Sequence, residues 1–212
     1  ADNMVISAFQ GLTVVAIYNN YYYVISALRQ FIRVFIDSIR PSIGNSIVKE
    51  TPEKNYQDLH KVTFLVAWVV GWCFVCLICL FQHFIILWVG NKYLFPFSTV
   101  VILSAYFYFW MISDVIVMYQ DALGLWYEAK KVPYVSAIVN LVSNIIMIQI
   151  IGINGVIISS AVATVLITFP VILRVVFKNY FNRSFWPYLG KILQYTVVTG
   201  ILGFVFYRVC AV

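Results

Sequence analysis

Val62–Val89 reads VTFLVAWVVGWCFVCLICLFQHFIILWV, 28 consecutive residues without an aspartate, glutamate, lysine or arginine. As a helix it would rise about 42 Å at 1.5 Å per residue, more than the roughly 30 Å of a bilayer's hydrocarbon core. Outward from this stretch the pattern repeats. Tyr21–Ile39, Phe97–Tyr119, Val132–Ile151, Val156–Phe177 and Ile192–Tyr207 are further apolar runs, and Met4–Val15 is a shorter one. None alternates polar and apolar residues as barrel strands do. The predicted fold is all-α, a polytopic transmembrane helical bundle of six spans and one partial span.

Composition agrees. Of 212 residues, 63% are hydrophobic and only 22 are charged, 14 basic and 8 acidic. At about 10% charge against the roughly 25% of ordinary soluble domains, this much apolar surface cannot be hidden in one water-soluble core. A soluble enzyme, a secreted disulfide module and a disordered chain are excluded. The net charge of +6 need not mean nucleic acid, because its distribution follows membrane topology. With alternating turns, Arg40, Lys49, Lys54, Lys61, Lys130, Lys131, Arg174, Lys178, Arg183 and Lys191 fall on one side, and only Lys92 and Arg208 on the other. The polar segments 49–61, 120–131 and 178–191 are therefore expected in the cytoplasm. The turns near 17–20, 91–95 and 151–154 are expected outside. No nucleic-acid partner is expected; the lipid bilayer is.

The chain begins at Ala1-Asp2 without the basic region or cleavage site of a signal peptide. It stops at Cys210-Ala211-Val212, at the end of an apolar run. Both ends are expected to be cuts within a longer polypeptide. Residues 1–15 would be a partial helix, 21–177 a lobe of five spans and 192–207 an additional span. Pro41, Pro96, Pro133 and Pro187 lie near span ends, where a missing N–H is least damaging. Pro170 lies inside a span and is expected to kink it.

The ionisable residues within spans carry the functional information. Arg29, Arg33 and Asp37 recur at i, i+4 and i+8 and share one helix face. Arg33 and Asp37 are expected to pair, with Arg33 reaching the cytoplasmic interface. Arg29 is too deep to do so and is expected to line a polar cavity. Asp114, the deep acid of 97–119, is placed either against an arginine of a neighbouring helix or on a coupling cation or proton. Ser136, Asn140, Ser143 and Asn144 have helical spacing and read as helix–helix hydrogen bonding. Gly200-x-x-Gly203 reads as close packing.

Other chemistry lacks its residues. Cys73-x-x-Cys76-x-x-Cys79 has a metal-like spacing but no fourth ligand nearby, so it reads as small apolar packing. Two histidines, with no Ser/His/Asp or Cys/His set, give hydrolysis no basis. No phosphate-binding glycine loop is present. The chain is read as a non-enzyme without cofactor or metal.

Several short stretches, taken in order, resemble bacterial polysaccharide repeat-unit flippases of the multidrug/oligosaccharidyl-lipid/polysaccharide exporter superfamily. Asp2-Asn3-Met4-Val5-Ile6-Ser7, Gly11-Leu12 and Tyr18-Asn19-Asn20-Tyr21 resemble the opening of that family's second lobe. Pro41-Ser42-Ile43-Gly44-Asn45 is similar to its cytoplasmic turn, and Leu87-Trp88-Val89-Gly90 and Gly124-Leu125-Trp126 to its later helix ends. The resemblance implies the second lobe of a two-lobe exporter fold, partnered by an N-terminal lobe of the same polypeptide. It implies movement of an undecaprenyl-diphosphate-linked oligosaccharide to the outer leaflet of the bacterial inner membrane. Arg29 and Arg33 would be the cavity residues for the diphosphate. Asp114, Asp2 and Asp37 would be coupling or ion-pair residues, the coupling ion being a proton or sodium. The alternatives are a cation-coupled multidrug exporter of the same superfamily and a membrane-embedded polysaccharide polymerase or acyltransferase.

Overall fold

The computed structural model describes residues 2–210, so Ala1 of the expected 1–15 segment and Ala211 and Val212 lie outside the described residues. Within them there are seven helices and no strand, an all-α helical bundle. The helices are α1 (Asp2–Gln10), α2 (Leu12–Lys49), α3 (Pro52–Val89), α4 (Phe97–Ala122), α5 (Val132–Ile151), α6 (Ile153–Phe181) and α7 (Trp186–Cys210). Helices α3 to α7 are long and apolar enough to cross a bilayer, as a multi-pass membrane protein requires.

Helix α2 departs from the other long helices. It has 38 residues, ample length for a span, but its tyrosines, asparagines and arginines leave it less apolar than those five. A helix facing a polar cavity need not be as apolar as one facing lipid. Its bounds also differ from the expected 21–39. The expected outer turn at 17–20 is helical, and the chain reverses at Gly11 instead, where φ is +85° and a side chain would be strained. Residues 12–15, expected in the first segment, therefore belong to α2. At the other end, Pro41 lies inside α2 rather than at a turn, and the helix continues to Lys49. The continuation is anchored where Ser46 donates to Asn55 Oδ1 at 2.8 Å and Asn55 Nδ2 donates to the Ser46 carbonyl at 3.2 Å. These contacts, with buried Ile43, offset the hydrogen bond the proline removes.

The start of α3 has conventional signals. Thr51 caps it by accepting from the Lys54 N–H at 3.3 Å, and Pro52 and Glu53 fill the first turn. The expected kink at Pro170 takes the form of a π turn. Residues Ala163–Thr168 widen to π geometry just before the proline. Thr168 Oγ1 donates to the Ala163 carbonyl at 3.3 Å and Thr164 Oγ1 to the Ser160 carbonyl at 3.0 Å, adding hydroxyl bonds to the turns that lead into the proline.

Helix α4 is the centre of the bundle and packs against α2, α3 and α6. Its buried face includes Phe107, Met111, Val115, Ile116 and Met118. Helices α5 and α7 instead present rows such as Ile138, Val142, Ile145 and Leu193, Val197, Ile201 outward. In a bilayer such faces meet lipid tails, and association depends on packing and hydrogen bonds rather than on apolar burial. Gly203 shows this, since a Cβ there would lie 2.8 Å from Phe74 on α3; Gly200 has no neighbour within 4 Å. Of that glycine pair, only Gly203 is a contact.

The segments expected in the cytoplasm meet at one end. Asn55 donates to Tyr180 Oη at 2.8 Å, Arg183 pairs with Glu53, and Arg40 bonds Asp121 at 2.6 Å. At the opposite end Tyr21 Oη accepts from the Phe95 N–H at 3.1 Å, and Gln82 donates to the Phe95 carbonyl at 2.9 Å. These ties fix α2 against α3 and α4 at both ends and set the wall that carries the charged residues.

Candidate functional site

Two polar clusters lie within the apolar zone, joined by aromatic side chains. The first is where α2 crosses α4. Arg29 Nη2 donates to Asp114 Oδ2 at 3.2 Å. The guanidinium also lies over Trp110, 3.6 Å from the ring centroid. Tyr106, Trp110 and Asp114 recur at i, i+4 and i+8, so one face of α4 offers two aromatic rings and a carboxylate to α2. Tyr106 and Trp110 stack at 5.2 Å. The pair is not sealed: the side chains of Arg29 and Asp114 keep 22% and 17% of their exposure. Arg29 Nε is buried without an acceptor. The guanidinium thus spends one N–H on Asp114 and keeps unused donor capacity.

Arg33 lies one turn further along the same face and is half-buried. The expected Arg33–Asp37 pair is not formed. Asp37 instead accepts from Arg40 at 3.1 Å, and Arg40 bridges on to Asp121. Arg40 is better placed because the continuation of α2 past Pro41 keeps it on the helix, three residues beyond Asp37. Among the described residues Arg33 makes no ion pair. Its charge is felt at Asp114 together with that of Arg29. The α2–α4 crossing thus holds Arg29, Arg33 and Asp114, with Asp37 and Asp121 acting on it from the inner end, where Arg40 engages both.

The second cluster joins α1, α5 and α6 in a closed hydrogen-bonded ring. Asn144 donates to Asp2 Oδ1 at 3.0 Å and to Asn140 Oδ1 at 3.2 Å. Asn140 donates to Ser160 at 3.0 Å, and Ser160 donates to Asp2 Oδ2 at 3.2 Å. Asn144 is fully buried, and its Oδ1 has no partner. A buried carbonyl-type oxygen beside a carboxylate is an arrangement that suits a small cation. The ring opens on a cleft of about 540 Å³ lined by Asp2, Tyr106, Ser136, Asn140, Ser160 and Thr168 among others. The Ser136 and Thr168 hydroxyls are hydrogen-bonded at 3.1 Å; Ser143 forms no side-chain hydrogen bond within this cluster.

Tyr106 links the two clusters. It lines the cleft with Asp2 and stacks on the tryptophan that seats Arg29. Tyr18 stands beside Asp2 and stacks with Tyr22 at 5.7 Å. Composition hid these aromatics among 38 phenylalanine, tryptophan and tyrosine residues (17, 6 and 15). The signal that finds them is the four-residue spacing back from Asp114. Asp37 bonds neither cluster and lies toward the inner end, from which its charge reaches Asp114.

No protein-family model, curated protein or solved structure matches the chain.

Proposed function

We propose that the chain is the second lobe of a flippase for polysaccharide repeat units in the bacterial inner membrane. It moves an undecaprenyl-diphosphate-linked oligosaccharide from the cytoplasmic to the outer leaflet by alternating access. The observation that carries this reading is Arg29, a permanently charged group in the apolar zone, seated on Trp110 with donors unused and partly accessible. An arginine inside a bilayer is expensive and is retained where it meets a charged partner. A diphosphate is such a partner, because guanidinium donors match phosphate oxygens in charge and geometry.

The physical task fits the layout. A sugar chain and a diphosphate cannot enter hydrocarbon unaided, whereas the prenyl tail can stay in lipid. The wall formed by α2 and α4 would face a second lobe of the same polypeptide, and rocking of the two lobes would expose Arg29 to each side in turn. Arg33, one turn toward the inner end, would receive the diphosphate before or together with Arg29. Outward transfer of negative charge is favoured by an inside-negative potential, by about 2.3 kcal/mol per charge per 100 mV. The Asp2–Asn140–Asn144–Ser160 ring would hold the coupling ion, sodium being the cation that its oxygen-only set suits. Tyr106 and Trp110 would relay its occupancy to Arg29.

The test is Arg29→Ala in the full-length protein, produced in cells that depend on it for surface polysaccharide. Export should fall at least tenfold, with lipid-linked units accumulating on the cytoplasmic leaflet. Export at the wild-type level would overturn the reading. One observation favours a second reading, cation-coupled drug export: the cleft beside Asp2 is lined by Tyr106 and Trp126, an acid with aromatics such as a cationic drug would meet. Dye efflux that survives Arg29→Ala and disappears in Asp2→Asn would select it.

A further inference from the structure

We infer that Asp114 is a resident counter-ion that occupies Arg29 between transport cycles and is displaced by the incoming anion, so that it sets the affinity and charge selectivity of the site. This rests on the reading of Arg29 as an anion ligand and adds what stands in its way.

The geometry of the pair is that of a placeholder. Asp114 takes one guanidinium N–H, at 3.2 Å, where a committed arginine–carboxylate pair would take two in parallel. The buried Nε is left without an acceptor. Meanwhile the guanidinium is held independently by Trp110, at 3.6 Å. Loss of Asp114 would therefore leave Arg29 in position, pointing its donors into the same space. Stacking on a ring fixes the plane of the cation and leaves its edges free to bond.

The charge balance points the same way. Arg29 and Arg33 bring two positive charges to the crossing, and both act on Asp114. Among the described residues Asp114 is the one carboxylate that bonds either of them, because Asp37 and Asp121, also within reach of this field, are held by Arg40. An anion with at least two charges and several acceptor oxygens can engage both arginines, which a carboxylate fixed on α4 does not do. A monovalent anion gains less, because it must give up the same internal pair for one charge. Asp114 thus discriminates by charge: weak anions fail to displace it, and diphosphates succeed. It also limits how tightly even a diphosphate is held, which a transporter needs in order to release its cargo.

The experiment uses the purified full-length protein in detergent, with geranylgeranyl diphosphate as probe and methyl geranylgeranyl phosphate, a phosphodiester with a single charge, as the monovalent comparison. Asp114→Asn should bind the diphosphate about three- to tenfold more tightly than wild type. It should gain proportionally more for the monovalent phosphodiester, so the preference between the two narrows. Asp114→Glu, which restores the counter-ion, should return both affinities toward wild type. Asp114→Ser gives the same comparison if the asparagine variant does not fold. Arg29→Ala should weaken diphosphate binding at least tenfold, whichever residue stands at 114. If Arg29→Ala weakens binding but the neutral 114 variants bind no more tightly than wild type, the displacement inference is overturned and the anion-ligand reading stands. If Arg29→Ala leaves binding unchanged, the anion-ligand reading itself is overturned.

Discussion

The guanidinium carbon of Arg29 lies 3.6 Å from the centroid of the Trp110 ring. A stacked cation in a medium with little water gains about 0.5–2 kcal/mol from the ring and is fixed in orientation. In water the same arginine would sample many rotamers; here the ring restricts it to the α2–α4 crossing. Trp110→Ala is expected to lower transport by roughly tenfold, the equivalent of about 1.4 kcal/mol. Trp110→Phe should recover much of it, since a smaller ring keeps the face but weakens the attraction. Export measured in complemented cells, with protein level checked, decides this; equal export by the alanine variant would contradict it.

The glycines of the bundle separate cleanly by what surrounds them. A Cβ at Gly155 would lie 2.3 Å from the Met147 carbonyl oxygen, which is backbone and cannot rotate aside. Gly155→Ala should therefore force apart the α5–α6 hairpin and lower stability by about 1–3 kcal/mol. Gly200→Ala, with nothing within 4 Å, should be neutral within about 0.5 kcal/mol. Thermal melting in detergent, followed by size-exclusion recovery, compares the two directly.

The parts of the fold that were legible in the sequence are those governed by one rule over many residues. A run such as Val62–Val89 has only one comfortable solvent, and the basic residues of the turns label one side. What escaped were places where one rule yields to packing. Tyr18, Asn19 and Asn20 resemble a turn by polarity, yet Tyr18 and Tyr21 are buried within the bundle, and the reversal falls to Gly11. Pro41 resembles a stop, yet Asn55 and Ser46 hold the helix beyond it. In the candidate site, Arg29 and Asp114 stood out singly because charge in an apolar run is conspicuous. Their pairing is a fact of two helices 85 residues apart in sequence, which no local pattern contains. Asn140 and Asn144 were legible as helix–helix hydrogen bonds; that they close on Asp2 depends on α1 folding back at Gly11.

The Arg40–Asp121 bridge fastens the inner ends of α2 and α4, at 2.6 Å, while Asp37 shares the same arginine. It sits at the bundle end with Arg40 about one-third exposed, so its worth is that of a partly screened pair, about 1 kcal/mol or less. A double-mutant cycle of Arg40→Ala and Asp121→Ala, read by thermal melting, should give a coupling of this size. Arg40→Ala should be more costly than Asp121→Ala, because it strands the mostly buried Asp121 carboxylate, whose Oδ1 already lacks a partner, whereas Asp121→Ala leaves a partly hydrated Arg40 still paired with Asp37. A coupling of zero would mean that the collar around Asn55, rather than this bridge, holds the ends together.

Asp2 offers the sharpest test of ion coupling, because its ring can survive loss of its charge. In Asp2→Asn the side-chain oxygen still accepts from Asn144, and the new amide can donate to Ser160, whose hydroxyl both gives and takes. The hydrogen-bonded link between α1, α5 and α6 is thus retained while the negative charge disappears. A cation held by the ring binds the folded state alone and raises its stability by RT ln(1 + [L]/Kd), about 2.7 kcal/mol at a hundredfold excess over Kd. The wild-type chain should therefore melt higher in sodium chloride than in choline chloride at equal ionic strength. Asp2→Asn should melt at one temperature in both. Asn144→Ala should also lose the sodium shift, because it removes the buried oxygen that has no partner, though it will start from a lower melting point. Asp114→Asn should keep the shift intact, since its carboxylate is engaged by Arg29 and lies in the other cluster. A sodium shift that survives Asp2→Asn, or that moves to Asp114→Asn, would place the coupling ion at the arginine pair and leave the ring as a structural tie.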